Sequence, residues 1–255
     1  MSDLRRRTNT RPMPDVAEPT PRTSHVVYVH GTFASGARDE GNYAHGQGEM
    51  AQVLKREHHA TTFSAVEWNG QANEAARLAA GQHLAQGLLK KFDGGENVHL
   101  VGQSHGGNVI GHALQQLGGT GFGVASVTML GTPHWDPAQD PSWNRAAASR
   151  VDGPITTLYS QSDRVQTLGA TAANQVDSTS PIHGSAQRVL DPHTVAPFAP
   201  GKVINRDVTA LGKGIDHHSS LHDADVLENA FGHQPALHQP PRAPFVPPLG
   251  KLKQD

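Results

Sequence analysis

Gly102-Gln103-Ser104-His105-Gly106 stands directly behind an apolar run, Val98-His99-Leu100-Val101, and directly ahead of a helix-like stretch, Gly107-Asn108-Val109-Ile110-Gly111-His112-Ala113-Leu114. A serine at a sharp strand-to-helix turn is held in a strained backbone conformation. Small residues two before and two after it let strand, helix and hydroxyl pack closely, so the strain presents Oγ to a substrate. In a chain with 27 glycines the five-residue pattern alone is weak, and its place between a strand and a helix is what makes it informative.

On either side of this turn the chain alternates strand and helix. Residues 25–29, His25-Val26-Val27-Tyr28-Val29, are β-branched and aromatic and run into His30-Gly31, which predicts a buried strand ending in a loop. Residues 61–68 read as a second strand. From residue 73 to 90, Ala76, Leu78, Ala79, Leu84, Leu88 and Leu89 recur at helical spacing, and Lys90-Lys91 complements the C-terminal dipole before Gly94-Gly95. Residues 98–101, 124–130, 155–159 and 202–208 supply the remaining strands. Such alternation predicts a mostly parallel, doubly wound α/β sheet flanked by helices.

Open α/β sheets bind ligands at the carboxyl ends of their strands, and the chemically distinctive residues fall there. His30-Gly31-Thr32-Phe33 follows the first strand, Ser104 the third, Gly131-Thr132-Pro133-His134 the fourth, Asp163 the fifth, and His217-His218 the last. A serine hydroxyl becomes a useful nucleophile when an imidazole takes its proton, and the imidazole needs a carboxylate to fix its tautomer and stabilise its cation. The chain offers Ser104, Asp163 and His218 for these three roles, each after a different strand. Taken alone, Ser162-Asp163 is an ordinary turn or cap; it becomes the candidate acid because it closes the β-rich run Ile155-Thr156-Thr157-Leu158-Tyr159, with Asp136 as the alternative. Seventeen histidines compete for the role of base. Position favours the segment Asp216-His217-His218-Ser219-Ser220-Leu221-His222, and within it His218 is taken ahead of His217. His218 and His222, four apart and close to Asp223 and Asp225, could also ligate zinc, but the serine turn explains the cluster without a metal. The expected oxyanion donors are the amides of His105, next after the serine, and of Thr32 in the loop after the first strand.

Composition narrows the remaining classes. A chain of 255 residues, 36% apolar, fits one domain with a sizeable core. A net charge of -2 supplies no broad attraction to nucleic acid or to an anionic membrane. With no cysteine, disulfides, thiolate metal sites and a cysteine nucleophile are excluded. Arg5-Arg6-Arg7 has no apolar stretch behind it, and no run approaches the roughly 20 apolar residues of a membrane span. The expected location is cytoplasmic, or exported by a route without a cleaved signal peptide. Residues 1–24 and the Pro-rich residues 233–255 are expected to be disordered tails around a domain at residues 25–232. Residues 166–201, rich in Ser, Thr, Asn, Pro and Gly, are long for a structureless connection and read as a lid or binding loop.

On these residues the chain resembles a lipase-type α/β-hydrolase. Val29-His30-Gly31-Thr32 is similar to the oxyanion loop of that family, Gly102-Gln103-Ser104-His105-Gly106-Gly107-Asn108 to its nucleophile elbow, and Leu130-Gly131-Thr132-Pro133-His134 to the segment after its sixth strand. His218-Ser219-Ser220-Leu221 resembles the block around its catalytic histidine. Trp68-Asn69-Gly70-Gln71 also looks like a segment of lipase-like bacterial effectors. The resemblance implies an esterase or lipase with a catalytic triad of Ser104, Asp163 and His218, an oxyanion hole at Thr32 and His105, no cofactor, no metal, and a lipid or other small ester as substrate with transient membrane-surface contact. A serine amidase, peptidase or thioesterase, or a binding protein that lost turnover, remains open on the same residues.

Overall fold

A computed structural model describes residues 22–32, 48–94, 96–136, 140–177, 184–192, 202–212 and 217–232. Both expected tails therefore lie almost wholly outside the described residues, as do Phe33, Asp216 and parts of the long connection after residue 177. Six strands form one sheet: β1 (Ser24–Val29), β2 (Thr62–Val66), β3 (Asn97–Gln103), β4 (Ser126–Leu130), β5 (Ile155–Tyr159) and β6 (Val203–Asp207). Their order is β2-β1-β3-β4-β5-β6, and every neighbouring pair is parallel. The chain steps outward from β1 to β2 and then returns past β1 to β3. That reversal opens a crevice at the carboxyl ends of β1 and β3.

Alternation along each strand sorts the apolar side chains onto two faces. Val26, Tyr28, Val101, Leu130 and Leu158 pack with α1 (Glu49–Glu57) and α6 (Ala224–Gly232). Val27, Val29, Leu100, Val127, Met129 and Ile155 pack on the other face with α2 (Glu74–Lys91), α3 (Gly106–Gln116) and α4 (Arg145–Ala148). Both faces are covered, which is why Val26-Val27-Tyr28-Val29 in β1 reads as a continuous apolar run rather than an alternating one. The helix α2 begins where Asn73 Oδ1 accepts from Ala76 N at 2.8 Å, a side-chain cap for an otherwise orphan amide. On α3, Val109, Ile110, Ala113 and Leu114 are wholly buried, and the branched residues contribute about 1.5–3 kcal/mol each. Glu74 locks the two helices together, accepting from Arg77 Nη2 at 2.7 Å and lying 2.7 Å from His112 Nε2.

Several predicted boundaries shift by one or two residues. The second strand ends at Val66 rather than 68 because Trp68 turns back onto the loop after β1. The fourth begins at Ser126, Val124 contributing an isolated bridge to Val151. The connection after Asp163 is not structureless at its start: Val165–Gly169 is a π-helix that runs into α5 (Ala170–Val176).

Candidate active site

Ser104 has φ 50, a left-handed backbone that only a tightly packed turn imposes on a residue with a side chain. Its amide donates to Leu130 O at 2.8 Å, so the turn is fastened to the end of β4. Packing explains the neighbouring glycines: a Cβ on Gly102 would lie 2.6 Å from Gly107 N, and one on Gly106 would strike Val29 O. The loop after β1 comes equally close, since a Cβ on Gly31 would sit 2.8 Å from Ser104 Cβ and 3.5 Å from its Oγ. Thr32 follows Gly31 directly, and His105 sits at the N-terminus of α3, where the first amides have no intrahelical acceptor.

The loop after β1 is held by a residue that follows the neighbouring strand, β2. Trp68 Nε1 donates to His30 O at 2.8 Å, and the two rings stack 5.7 Å apart. His30 Nδ1 bonds Gly31 O at 2.8 Å while Trp68 N approaches Nε2 at 3.4 Å, which places the ring proton on Nδ1. The Trp68-Asn69-Gly70-Gln71 segment thus serves as a brace for the loop that faces Ser104.

Across Leu130-Gly131, His218 Nδ1 donates to Asp163 Oδ2 at 2.7 Å. Gly131 is pressed between the pair and the serine turn: with φ 58, its Cβ would lie 3.2 Å from Asp163 Oδ2 and 3.3 Å from His218 Nδ1. Asp163 is fully buried, and its Oδ1 accepts from Gln166 N at 2.8 Å. His217, with φ 54, turns the other way and bonds Ser160 Oγ at 2.9 Å. Asp136 lies at the surface, accepting through its carbonyl from Asp140 N. Of the paired alternatives, His218 and Asp163 meet against Gly131, next to the carbonyl that holds Ser104 N, whereas His217 bonds Ser160 and Asp136 is at the surface.

His222, the second member of the possible zinc pair, is tied to the strand before the serine. Tyr28 OH donates to Gln103 Oε1 at 3.0 Å, which leaves Gln103 Nε2 to donate to His222 Nδ1 at 2.8 Å. Burial lowers the pKa of His222 from its ordinary value. Among the described residues no group of three or more His, Asp and Glu is placed to hold a metal ion.

Beneath the serine turn, His105 is buried, stacks 6.2 Å from Trp135 and is hydrogen-bonded through Nδ1 to Asn108 Oδ1 at 3.0 Å. Burial first, and the Arg77 guanidinium second, push its pKa down to about 3, so it stays neutral. Asn108 Nδ2 donates to Pro133 O and to Ser142 Oγ, which donates to buried Asp140; the Trp143 indole donates to Gly107 O at 3.0 Å. This network fixes the first turn of α3, and sequence reasoning missed it because its members are scattered over three segments.

A family model described as "Protein of unknown function (DUF726)" matches residues 64–189, a span that includes Ser104 and Asp163 and stops before His218. No curated protein matches the chain. Among solved structures, an alpha/beta hydrolase superfamily protein from Enterococcus faecalis is 13% identical with a TM-score of 0.45, covering 84% of this chain and 90% of that one. A cutinase-like protein from Cryptococcus sp. is 17% identical with a TM-score of 0.39, covering 82% and 91%. An esterase of Pyrobaculum calidifontis is 12% identical with a TM-score of 0.37, covering 82% and 78%. With its six parallel strands, the order reversal between β1 and β3, and a strained serine leaving β3 into α3, the chain has the α/β-hydrolase fold.

Proposed function

We propose that the chain is a serine hydrolase that cleaves carboxylic esters of apolar acyl groups, lipids among them, through an acyl-enzyme on Ser104. His218 takes the Ser104 proton as Oγ attacks the acyl carbonyl, and Asp163 holds the imidazole through Nδ1–H so that Nε2 is the unprotonated nitrogen that acts as base. The amides of His105 and Thr32 receive the oxyanion. Collapse of the tetrahedral intermediate expels the alcohol with the proton from His218, and water then repeats the sequence on the acyl-enzyme. No cofactor enters these steps.

The single observation that carries this reading is the 2.7 Å His218–Asp163 bond packed on Gly131, the residue after the carbonyl that holds the strained Ser104, φ 50. Both features are costly unless used: strain at a non-glycine residue, and a buried carboxylate committed to one imidazole. The apolar preference rests on Val165 and Leu168, exposed at 42% and 66% in the π-helix that follows the acid, where they would meet an acyl chain or a membrane surface. No helix among the described residues is long and apolar enough to cross a membrane.

The test is labelling with a fluorophosphonate probe and hydrolysis of p-nitrophenyl esters of graded chain length, for the parent protein and for Ser104→Ala. We expect labelling and turnover to vanish in Ser104→Ala, with kcat down by about 10⁴-fold or more as triad losses go, and the circular dichroism unchanged. Retained turnover in a folded Ser104→Ala protein would refute the mechanism, and preference for amides or thioesters over every ester would reassign the substrate.

A further inference from the structure

The turn after Asp163 is wound more loosely than an α-helix. The π-helix Val165–Gly169 is of a kind that occurs mostly as a single turn and frequently at functional sites. Here it governs Gln166, which is buried with 1% exposure. Gln166 N donates to Asp163 Oδ1 at 2.8 Å, so that Oδ2 is the oxygen left for His218. The side-chain Nε2 donates twice, to Thr132 O at 2.6 Å and to Arg188 O at 3.0 Å. Arg188 in turn donates from Nη2 to Asp163 O at 3.1 Å.

These bonds converge on the acid from two directions. Thr132 belongs to the loop after β4, and its side chain abuts Gly107 in the first turn of the nucleophile's helix. Arg188 belongs to the stretch that pairs with the same loop through the reciprocal His134–Gln187 backbone bonds. One buried amide therefore joins the acid's own turn, the loop over the serine's helix and the returning segment. A carboxylate with both oxygens bonded has a single orientation, and the residue that bonds one of them while anchored at its other end sets that orientation.

We propose that Gln166 is a positioning residue for Asp163, holding the carboxylate so that Oδ2 meets His218 Nδ1. The inference rests on the serine-hydrolase reading above. If Gln166 merely satisfied two buried carbonyls, its loss would lower stability without acting through the acid.

A double-mutant cycle separates the two. Gln166→Met keeps length and burial and removes the amide; kcat and KM on a short p-nitrophenyl ester are measured for the parent, Gln166→Met, Asp163→Asn and the double variant. We expect Gln166→Met to lower kcat about 10–100-fold with KM within about threefold, and to have no further effect in the Asp163→Asn background. A downfield proton resonance from the His218–Asp163 bond is expected in the parent protein and should be lost in Gln166→Met. An unchanged kcat with a lowered Tm, or the same fold-loss in both backgrounds, overturns the role. Should Gln166→Met fail to fold, Gln166→Asn, whose amide is too short for either carbonyl, is read by the same criteria. A parent protein that neither labels with fluorophosphonate nor turns over ester overturns the hydrolase reading and this one with it; a labelled, active parent beside an unaffected variant overturns Gln166 alone.

Discussion

Lowering the pH from 8 to 5 should remove a large part of this protein's stability, and its desolvated histidines set the size of the effect. Burial pushes His58, His105 and His134 down to about 3, and His99 down to about 4, from an ordinary value of 6.5. For His58 and His99, whose rings stack at 4.5 Å, each also opposes a charge on the other or on a neighbouring histidine. Folded values below the unfolded one mean that the unfolded chain binds more protons, so stability is present at high pH and is lost as pH falls below about 6.5. At pH 5 each such histidine favours the unfolded chain by about 2 kcal/mol, the cost of 1.5 pH units at 1.36 kcal/mol each. Four sum to about 8 kcal/mol against a typical total of 5–15 kcal/mol. Glu74, held low against the burial cost by His112 and Arg77, adds loss in the same direction at still lower pH, whereas burial raises Asp140, which acts with the opposite sign. Urea titrations followed by circular dichroism at pH 8, 7, 6 and 5 should show unfolding free energy falling ever more steeply below pH 6.5, towards about four protons per molecule near pH 5. His134→Leu should reduce that uptake by about one proton. A free energy constant to within 1 kcal/mol from pH 7 to 5 would show that these imidazoles are not held neutral by burial.

Two further expectations follow from the site. His218→Ala should match Ser104→Ala in lost kcat while His217→Ala stays within about tenfold, because only His218 bonds the acid, and Asp163→Asn should fall by about 10⁴-fold; steady-state kinetics on one chromogenic ester compares all three, and a dead His217→Ala would reverse the assignment. Trp68→Phe keeps the ring but removes the 2.8 Å bond to His30 O, and should lower kcat about tenfold through the loosened loop with Tm shifted by only a few degrees; an unchanged kcat would free Trp68 of any part in the oxyanion loop.

The parts of this architecture that were legible in the sequence are those encoded locally. The strand-turn-helix around Ser104 carries its own signature, with small residues where backbones touch and an apolar run on each side. Asp163 was legible because β5 is five consecutive β-formers that end just before it. The choice of His218 over His217 turns on the left-handed backbone of His217, a non-glycine exception that no side-chain pattern announces. The helix α1 was missed because it is nine residues long and starts at Gly48, which offers no side-chain cap, although Met50, Val53 and Leu54 fill the core. Gln166 was read only as the start of a polar connection. A π-turn changes which residue faces inward by adding one residue to the turn, and apolar periodicity is blind to that shift. The Trp68 segment was noticed as a motif, but its purpose depends on a loop 38 positions away.

The bond from Ser104 N to Leu130 O makes Ser104 the last rung of the ladder between β3 and β4, the two strands at the middle of the sheet. His218, by contrast, stands before a one-turn 3-10 helix, Ser219–His222, at the end of the chain's final connection. The two halves of the proposed machinery are thus built into parts of very different durability. As the molecule is weakened by heat or denaturant, the imidazole should drift away while the serine is still in its strained turn. Activity would then disappear before the sheet does, and it would return as soon as the last connection re-docks, with no need for the chain to fold again.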